Sequence, residues 1–390
     1  MTTPHIGTPV DVAGLLDWLT VDAGWLVLPA LAEPHAHLDK AFLAERVGNP
    51  TGDLMGAILA MQDSRHLITF DDIVERGERA ARLLLANGCT AIRTHADLTA
   101  ESGLTNVEAL IEVRERLRGL VDIQVVILCG WPSSGEAGRP QVALLREAVK
   151  SGADVVGGCP HLEDDAIAAT ENFLSIAGEA GLPVDLHTDE TLDPRKLFLE
   201  HLARRVTELE FPFGVTASHC CSLGVQPEAV QRRVAEQVAH AGIHVVALPH
   251  TNLFLQGRDH QSAMPRGLTA VKALREAGVN VCAGADNLQD PFNPVGRGDP
   301  LETAGLMVMA AHLLPGDALH TVSAAPRLAM GLKRTEPADG DFVAVRAATV
   351  REAIAIGPAD RIVVRDGCLV SGILPVGSTD SATRAMGRES

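Results

Sequence analysis

Eight short β-branched runs, helical segments between them and a regular spacing together predict a (β/α)8 barrel with a small β appendage. From the second run to the eighth, successive starts are 29 to 36 residues apart, the length of one βα unit. A doubly wound open sheet is the alternative, but no glycine-rich phosphate loop follows the first run.

The first run is Trp25 to Leu31, and residues 1–24 before it are expected to join the appendage. The interval to the second run is twice the usual one, which leaves room for an extra helix around Asp53 to Gln62. In Asp71 to Asn87, Ile73, Ala80 and Leu84 share a face beside Val74, Ala81 and Leu85, and Gly88 supplies the stop. The remaining barrel strands are expected at Cys89 to Thr94, Asp122 to Cys129, Asp154 to Cys159, Pro183 to His187, Gly214 to His219, Ile243 to Pro249 and Val279 to Asp286. The barrel therefore spans 25–330. After Pro326 the pattern changes to short alternating strands at Asp341 to Val345 and Arg361 to Val370, with a turn at Asp366-Gly367. These belong to an appendage over 331–376, followed by a polar tail over 377–390.

Composition narrows the function. At 46% hydrophobic and 21% charged, the 390 residues suit a folded domain. A net charge of −17 repels phosphate backbones and anionic membranes, so neither nucleic acid nor membrane is an expected partner. No apolar run reaches the ~18 residues of a membrane span, and the first basic residue is Lys40, so a basic leader is missing and a cytoplasmic location is expected. Seven cysteines without a CxxC pair read as reduced thiols rather than a disulfide framework. The sequence leaves a homo-oligomer open.

Barrel enzymes place their chemistry at the carboxyl ends of the strands. Here those ends carry Pro34-His35-Ala36-His37-Leu38-Asp39-Lys40, His95-Ala96-Asp97, Pro160-His161, His187-Thr188-Asp189-Glu190, Ser218-His219, Pro249-His250 and Asp286-Asn287. One histidine at such a place is usually a hydrogen-bonded structural residue; seven ends of eight bearing His or Asp are not explained that way. Side chains at i and i+2 share a strand face, so His35 and His37 can meet one cation. His187 and Asp286 arrive from the other side and complete an N3O set with an open position for water. Three imidazoles and a carboxylate suit Zn2+, Fe2+ or Mn2+.

These motifs resemble the amidohydrolase superfamily, and within it the cytosine-deaminase-like group. The resemblance is carried by Glu33-Pro34-His35-Ala36-His37-Leu38-Asp39, Arg93-Thr94-His95-Ala96-Asp97, His187-Thr188-Asp189-Glu190, Ala217-Ser218-His219, Asn252-Leu253-Phe254-Leu255-Gln256-Gly257-Arg258 and Gly278-Val279-Asn280-Val281-Cys282. It covers about Leu28 to Ala329. It implies a hydrolytic deaminase of a small nitrogen heterocycle, a pyrimidine, triazine or related cyclic amidine. It also implies metal ligation by His35, His37, His187 and Asp286. Asp286 would take the water proton, His219 would orient the water and stabilise the oxyanion, and Glu190 would shuttle a proton to the ring and the departing amine. The plainer reading of Glu190 is a carboxylate heading the next helix. Binuclear relatives bridge two metals from the fourth strand end; Gly157-Gly158-Cys159-Pro160 stands there, so one divalent metal per chain is expected.

Departures from the group bear on the substrate. Its members that act on cytosine carry a Pro-Gln pair after the third strand, where this chain has Trp131-Pro132-Ser133, and a second Asp where this chain has Asn287. Cytosine is therefore a doubtful substrate. Lys40 is similar to nothing in the cytosine enzymes; it either binds an anionic or carbonyl-rich ring, as in relatives acting on N-alkylammelides, or pairs with Asp39 or Glu45. Trp131 either covers a flat ring or packs. Together with Lys40, Trp131 and Asn287, the residues His95, Ser133 and Gln256 are expected to contact substrate; for His95, as for Asp97, His161 and His250, support of the ligands is the alternative. An N-alkylamino-triazine or cyclic-amide hydrolase is the second reading. A non-catalytic small-molecule-binding protein on the same barrel is the third.

Overall fold

The computed structural model describes residues 6–374, and the polar tail expected over 377–390 lies outside them. In chain order the strands are β1 (Thr8–Pro9), β2 (Leu26–Pro29), β3 (Leu31–Ala36), β4 (Cys89–Leu98), β5 (Asp122–Cys129), β6 (Val155–Gly158), β7 (Val184–Thr188), β8 (Val215–His219), β9 (His244–Ala247), β10 (Val281–Ala283), β11 (Phe342–Val345), β12 (Arg361–Arg365) and β13 (Cys368–Ser371). Strands β3 to β10 form one all-parallel eight-stranded sheet in sequential order, with helices in the connections. This is the expected (β/α)8 barrel. No helix among the described residues is long and apolar enough to cross a membrane.

One expected strand divides in two. The run Trp25 to Leu31 reads as the first barrel strand, but Leu26–Pro29 pairs antiparallel with β11 in the small sheet, and the barrel starts at Leu31. Ala30 passes the chain between the sheets, its N–H donating to Asp341 O at 3.4 Å. Pro29, which cannot donate to a ladder, is the sequence signal that marks the crossing. The small sheet has the order β1-β13-β12-β11-β2, so the N-terminal segment and the C-terminal strands build it together. Its own core holds Leu15, Leu19, Trp25, Phe342, Ile362, Val364 and Leu369. A buried bidentate pair fastens it to the barrel: Arg361 Nη1 and Nη2 lie 2.9 and 2.6 Å from the two carboxylate oxygens of Asp299.

The helices obey the sequence logic. Thr69 caps Phe70–Ala86 by accepting from Asp72 N, the face of Ile73, Val74, Ala80, Ala81, Leu84 and Leu85 is buried, and Gly88 (φ 99°) turns the chain into β4. The extra helix runs over Leu54–Asp63 with Asp53 as its cap. It buries Ala57 and Met61 and lies across the carboxyl end of the barrel, where Leu54, Ile58, Met61 and Gln62 line a cavity.

The barrel seam closes between β3 and the segment after β10. Ala36 bridges to Asp286, and Asp286 N donates to His35 O at 3.0 Å. Glu33 clasps the same seam: its Oε1 accepts from His35 N at 3.0 Å and its Oε2 from Ala285 N at 2.9 Å. Burial pushes its carboxyl up to about 8. A Cβ at position 284 would sit 2.4 Å from Glu33 Oε1, so Gly284 is what leaves space for the clasp.

Candidate active site

At the carboxyl ends of the strands lies a cavity of about 240 Å3 whose lining includes His37, Lys40, Trp131, His187, Glu190, His219, Asp286 and Asn287. Three histidine side chains converge at its floor. His187 Nε2 is 3.2 Å from both His35 Nε2 and His37 Nε2, and Asp286 Oδ1 is 3.6 and 3.2 Å from those same two atoms. A tetrahedral ion with bonds of ~2.1 Å has ligand edges of ~3.4 Å, and these spacings bracket that value. Both carboxylate oxygens of Asp286 are buried without a hydrogen-bond partner, an arrangement that costs several kcal/mol unless a cation is present. Burial holds His35 and His187 well below the ordinary histidine range, which keeps the imidazoles neutral, as ligation requires. The cluster therefore suits a divalent metal.

His219 approaches from β8. Its Nδ1 is 3.1 Å from Asn252 Oδ1 and 3.6 Å from Glu190 Oε1, while its Nε2 is 3.9 Å from Asp286 Oδ2. Burial, and then the charge of Asp286, raises Glu190 well above the usual carboxylate range, so that it carries a proton to give. Burial works to raise Asp286 as well, yet the adjacent His37 and the field of His219 hold it below its ordinary value. His219, Asp286 and Asp189 all have left-handed backbones (φ 69°, 64° and 51°), the local strain that turns strand ends into the cavity. Glu190 does not head the next helix. Its neighbour Asp189 does so instead, accepting from Phe198 N and Leu199 N at 3.0 and 2.9 Å.

Lys40 Nζ donates to Asp97 Oδ1 at 2.6 Å and lies 3.1 Å from His37 Nδ1 and 3.8 Å from Asp39 Oδ1. Burial works to lower its pKa, but Asp39 and Asp97 outweigh it and the pKa is raised. Of the two expected partners Asp39 is present, and Asp97 rather than Glu45 is the second. Asn287 donates from Nδ2 to Asp290 Oδ2 at 2.7 Å, and its Oδ1 accepts from Thr251 Oγ1 at 3.5 Å. Trp131 lines the cavity and is 39% exposed.

Three residues expected at the substrate are not among those lining the cavity. Ser133 is buried and donates its N–H and hydroxyl to Glu163 Oε1, both at 2.6 Å, so it fastens the loop after β5. His95 lies beneath the cluster, its ring centroid 4.0 Å from that of His35; neither of its nitrogens makes a hydrogen bond, and its Nε2 lies 4.0 Å from Asp185 Oδ1. Gln256 holds the Glu190 carbonyl through Nε2 at 3.3 Å. His161 similarly supports the His187 carbonyl from Nδ1 at 3.0 Å, and His250 pairs with Thr303.

The sequence reading overlooked the polar residues under the cluster. Asp185 and Arg93 sit inside buried strands and pair at 2.9 Å. A charge embedded in a buried strand demands such a partner, and that was the available signal.

A model of the amidohydrolase family matches residues 42–370. The chain belongs to this family. It is 34% identical to the pterin deaminase of Rhizobium rhizogenes over 359 residues, covering 90% of this chain and 82% of that one. A 5-methylcytosine deaminase from Klebsiella pneumoniae, solved with 5-fluorocytosine, superimposes with a TM-score of 0.82 at 29% identity, over 95% of this chain and 90% of its own. The N-isopropylammelide isopropylaminohydrolase of Burkholderia multivorans gives 0.76 at 30% identity, over 90% and 89%. This member of the family is a hydrolase acting on C–N bonds other than peptide bonds.

Proposed function

We propose that the chain is a metal-dependent deaminase of a nitrogen heterocycle containing a cyclic amidine, and that a fused amino-oxo ring of the pterin type suits it better than cytosine. The observation that carries the reaction is the pairing of the His35–His37–His187–Asp286 cluster with a protonated Glu190 beside His219 in one cavity. The likeness to a pterin deaminase over most of both chains supports the substrate class. So does the volume, about 240 Å3, room for roughly eight waters at ~30 Å3 each and more than a single six-membered ring fills.

One divalent ion, zinc or iron with manganese as a third choice, would be held by His35, His37, His187 and Asp286; it would polarise the reacting carbon's surroundings and lower the pKa of a water toward neutrality. Asp286 would accept a proton from the attacking water. His219, oriented by Asn252, stabilises the negative charge that develops at the attacked carbon. Glu190 would give its proton to the adjacent ring nitrogen, regain one from the new hydroxyl as the carbonyl forms and pass it to the departing amine, and the water proton held by Asp286 would then restore Glu190. A single ion is favoured by the end of β6, where a Cβ on Gly158 would sit 2.3 Å from the Phe173 ring and one on Gly157 would sit 2.7 Å from Asp185 O. Neither position therefore offers a bridging lysine or glutamate, and Cys159, which does line the cavity, has its thiol pushed well up by burial.

Lys40 and the Asn287 carbonyl would read the ring edge, favouring oxygenated or N–H-bearing rings. The N-alkylamino-triazine alternative keeps the same machinery with an alkylamine leaving group, and the likeness to the ammelide enzyme favours it as the second reading. The test is amine and ammonia release from a panel of pterins, purines, pyrimidines and triazines, with metal-loaded and chelator-treated protein. Metal-dependent ammonia release that is fastest with a pterin is the expected result. Cytosine as best substrate would overturn the substrate class, and no turnover of any ring by loaded protein would favour the binding-protein reading.

A further inference from the structure

Below the cluster an ordered chain of hydrogen bonds leads away from substrate. His35 Nδ1 is 2.9 Å from Ser218 Oγ, and the Ser218 hydroxyl donates to Asp185 Oδ1 at 2.9 Å. The other oxygen, Asp185 Oδ2, accepts from Arg93 Nη1 at 2.9 Å. Arg93 is itself anchored: Nη1 also donates to Thr216 Oγ1, Nη2 to Ala329 O at the base of the barrel, and Nε to Gln124 Oε1. All of Arg93, Asp185, Ser218 and His35 are buried.

Donor and acceptor counting fixes every proton in this chain. An ionised carboxylate paired with a guanidinium can only accept. Ser218 has one hydroxyl proton, which goes to Asp185, so toward His35 it can only accept. The proton on His35 must then sit on Nδ1, which leaves the Nε2 lone pair facing His187, His37 and Asp286. We propose that Ser218 and Asp185, anchored by Arg93, are positioning residues that hold His35 in its ligating tautomer before any metal arrives.

A competing role for the same atoms is a second cation site, because His35, His95 and Asp185 offer three donors within 4.8 Å of one another. The observed partners argue against it. Asp185 is already neutralised by Arg93, and His35 Nδ1 is already engaged by Ser218.

The inference rests on the proposed metal centre, so the experiment separates the two. Zinc and cobalt affinities of wild type, Ser218→Ala, Ser218→Thr and Asp185→Asn are measured by chelator competition on protein shown to be folded by circular dichroism. Ser218→Ala should bind ~10–100-fold more weakly, and Ser218→Thr, which keeps the hydroxyl, should stay near wild type. Asp185→Asn is the sharper variant. Its amide oxygen stays with Arg93, so its NH2 faces Ser218, the hydroxyl turns to donate to His35 Nδ1, and the proton is driven to Nε2. Metal affinity should fall at least as far as in Ser218→Ala, with a shifted ligand-field spectrum of the cobalt form. Wild-type affinity in both Ser218→Ala and Asp185→Asn would overturn the relay, as would a second ion per chain that is lost in Asp185→Asn. A wild type that binds no metal would instead overturn the metal centre itself.

Discussion

The backbone N–H of Asp286 donates to the carbonyl of His35 at 3.0 Å, so the seam that closes the barrel passes through two members of the donor cluster. An ion held by both side chains also holds the seam. Metal removal should therefore lower global stability, by ~4 kcal/mol relative to protein at a thousandfold excess of metal over its Kd. Thermal or urea unfolding with and without chelator checks this, and equal stability in both would contradict it.

His219 is aimed by Asn252, whose Oδ1 accepts from Nδ1 and leaves Nε2 toward Asp286. Asn252→Leu removes a buried partner worth ~1.5–3 kcal/mol to the developing charge, so kcat should fall roughly 10- to 100-fold. Metal content should not change. A kcat within twofold of wild type would dismiss the orienting role.

Glu190 lies 3.6 Å from His219 Nδ1, and the proposed function gives it proton transfer rather than metal ligation. Glu190→Gln should fold and retain its metal, yet lose ~10²–10⁴-fold in kcat. Activity within a few fold of wild type would remove Glu190 from the mechanism.

Lys40 neutralises Asp97 and Asp39 at the edge of the cluster. Lys40→Met leaves two carboxylates without a counter-charge and should cost about 3 kcal/mol in urea unfolding. The double variant Lys40→Met/Asp97→Asn should recover part of that loss. If the single variant is as stable as wild type and only KM rises, the ammonium serves substrate alone.

His244, on β9 and far from the cluster, accepts at Nδ1 from Asn280 Nδ2, and burial followed by the Arg93 charge pushes it down to about 4. The unfolded chain binds this proton near 6.5 and the folded chain does not until about 4. Its contribution is therefore complete above pH 6.5 and is lost as pH falls toward 4, with a limit of ~3 kcal/mol before solvent screening. His244→Gln should flatten the stability–pH curve in that window; an unchanged slope would show that other groups dominate.

The strand ends were legible because their polar residues interrupt β-branched runs: His187 closes Val184 to Leu186, and His219 closes Val215 to Ala217. Period-2 alternation says that a side chain points inward, which sufficed to bring His35 and His37 together. It does not say at which depth: His95, open both to substrate contact and to support of the ligands, lies under His35, and Ser133, on the loop beyond β5, fastens that loop to Glu163. Depth depends on strand stagger, and the stagger of β7 against β4 decides that Asp185 meets Arg93 across 92 residues of chain. The division between β2 and β3 is marked in the sequence by Pro29 alone, and hydrophobicity on either side of it does not change.

The small sheet joins the two ends of the chain, with Leu26–Pro29 laid against Phe342–Val345. During synthesis the first of these strands emerges roughly 300 residues ahead of its partner, a wait of ~15–60 s at ~5–20 residues per second. Throughout that interval Leu26, Val27 and Leu28 form an unmatched apolar edge on the nascent chain, next to the segment that must start the barrel. The ribosome-bound intermediate is thus the species most exposed to chaperones and to mispairing, and release of the carboxyl-terminal strands is the event that ends its vulnerability.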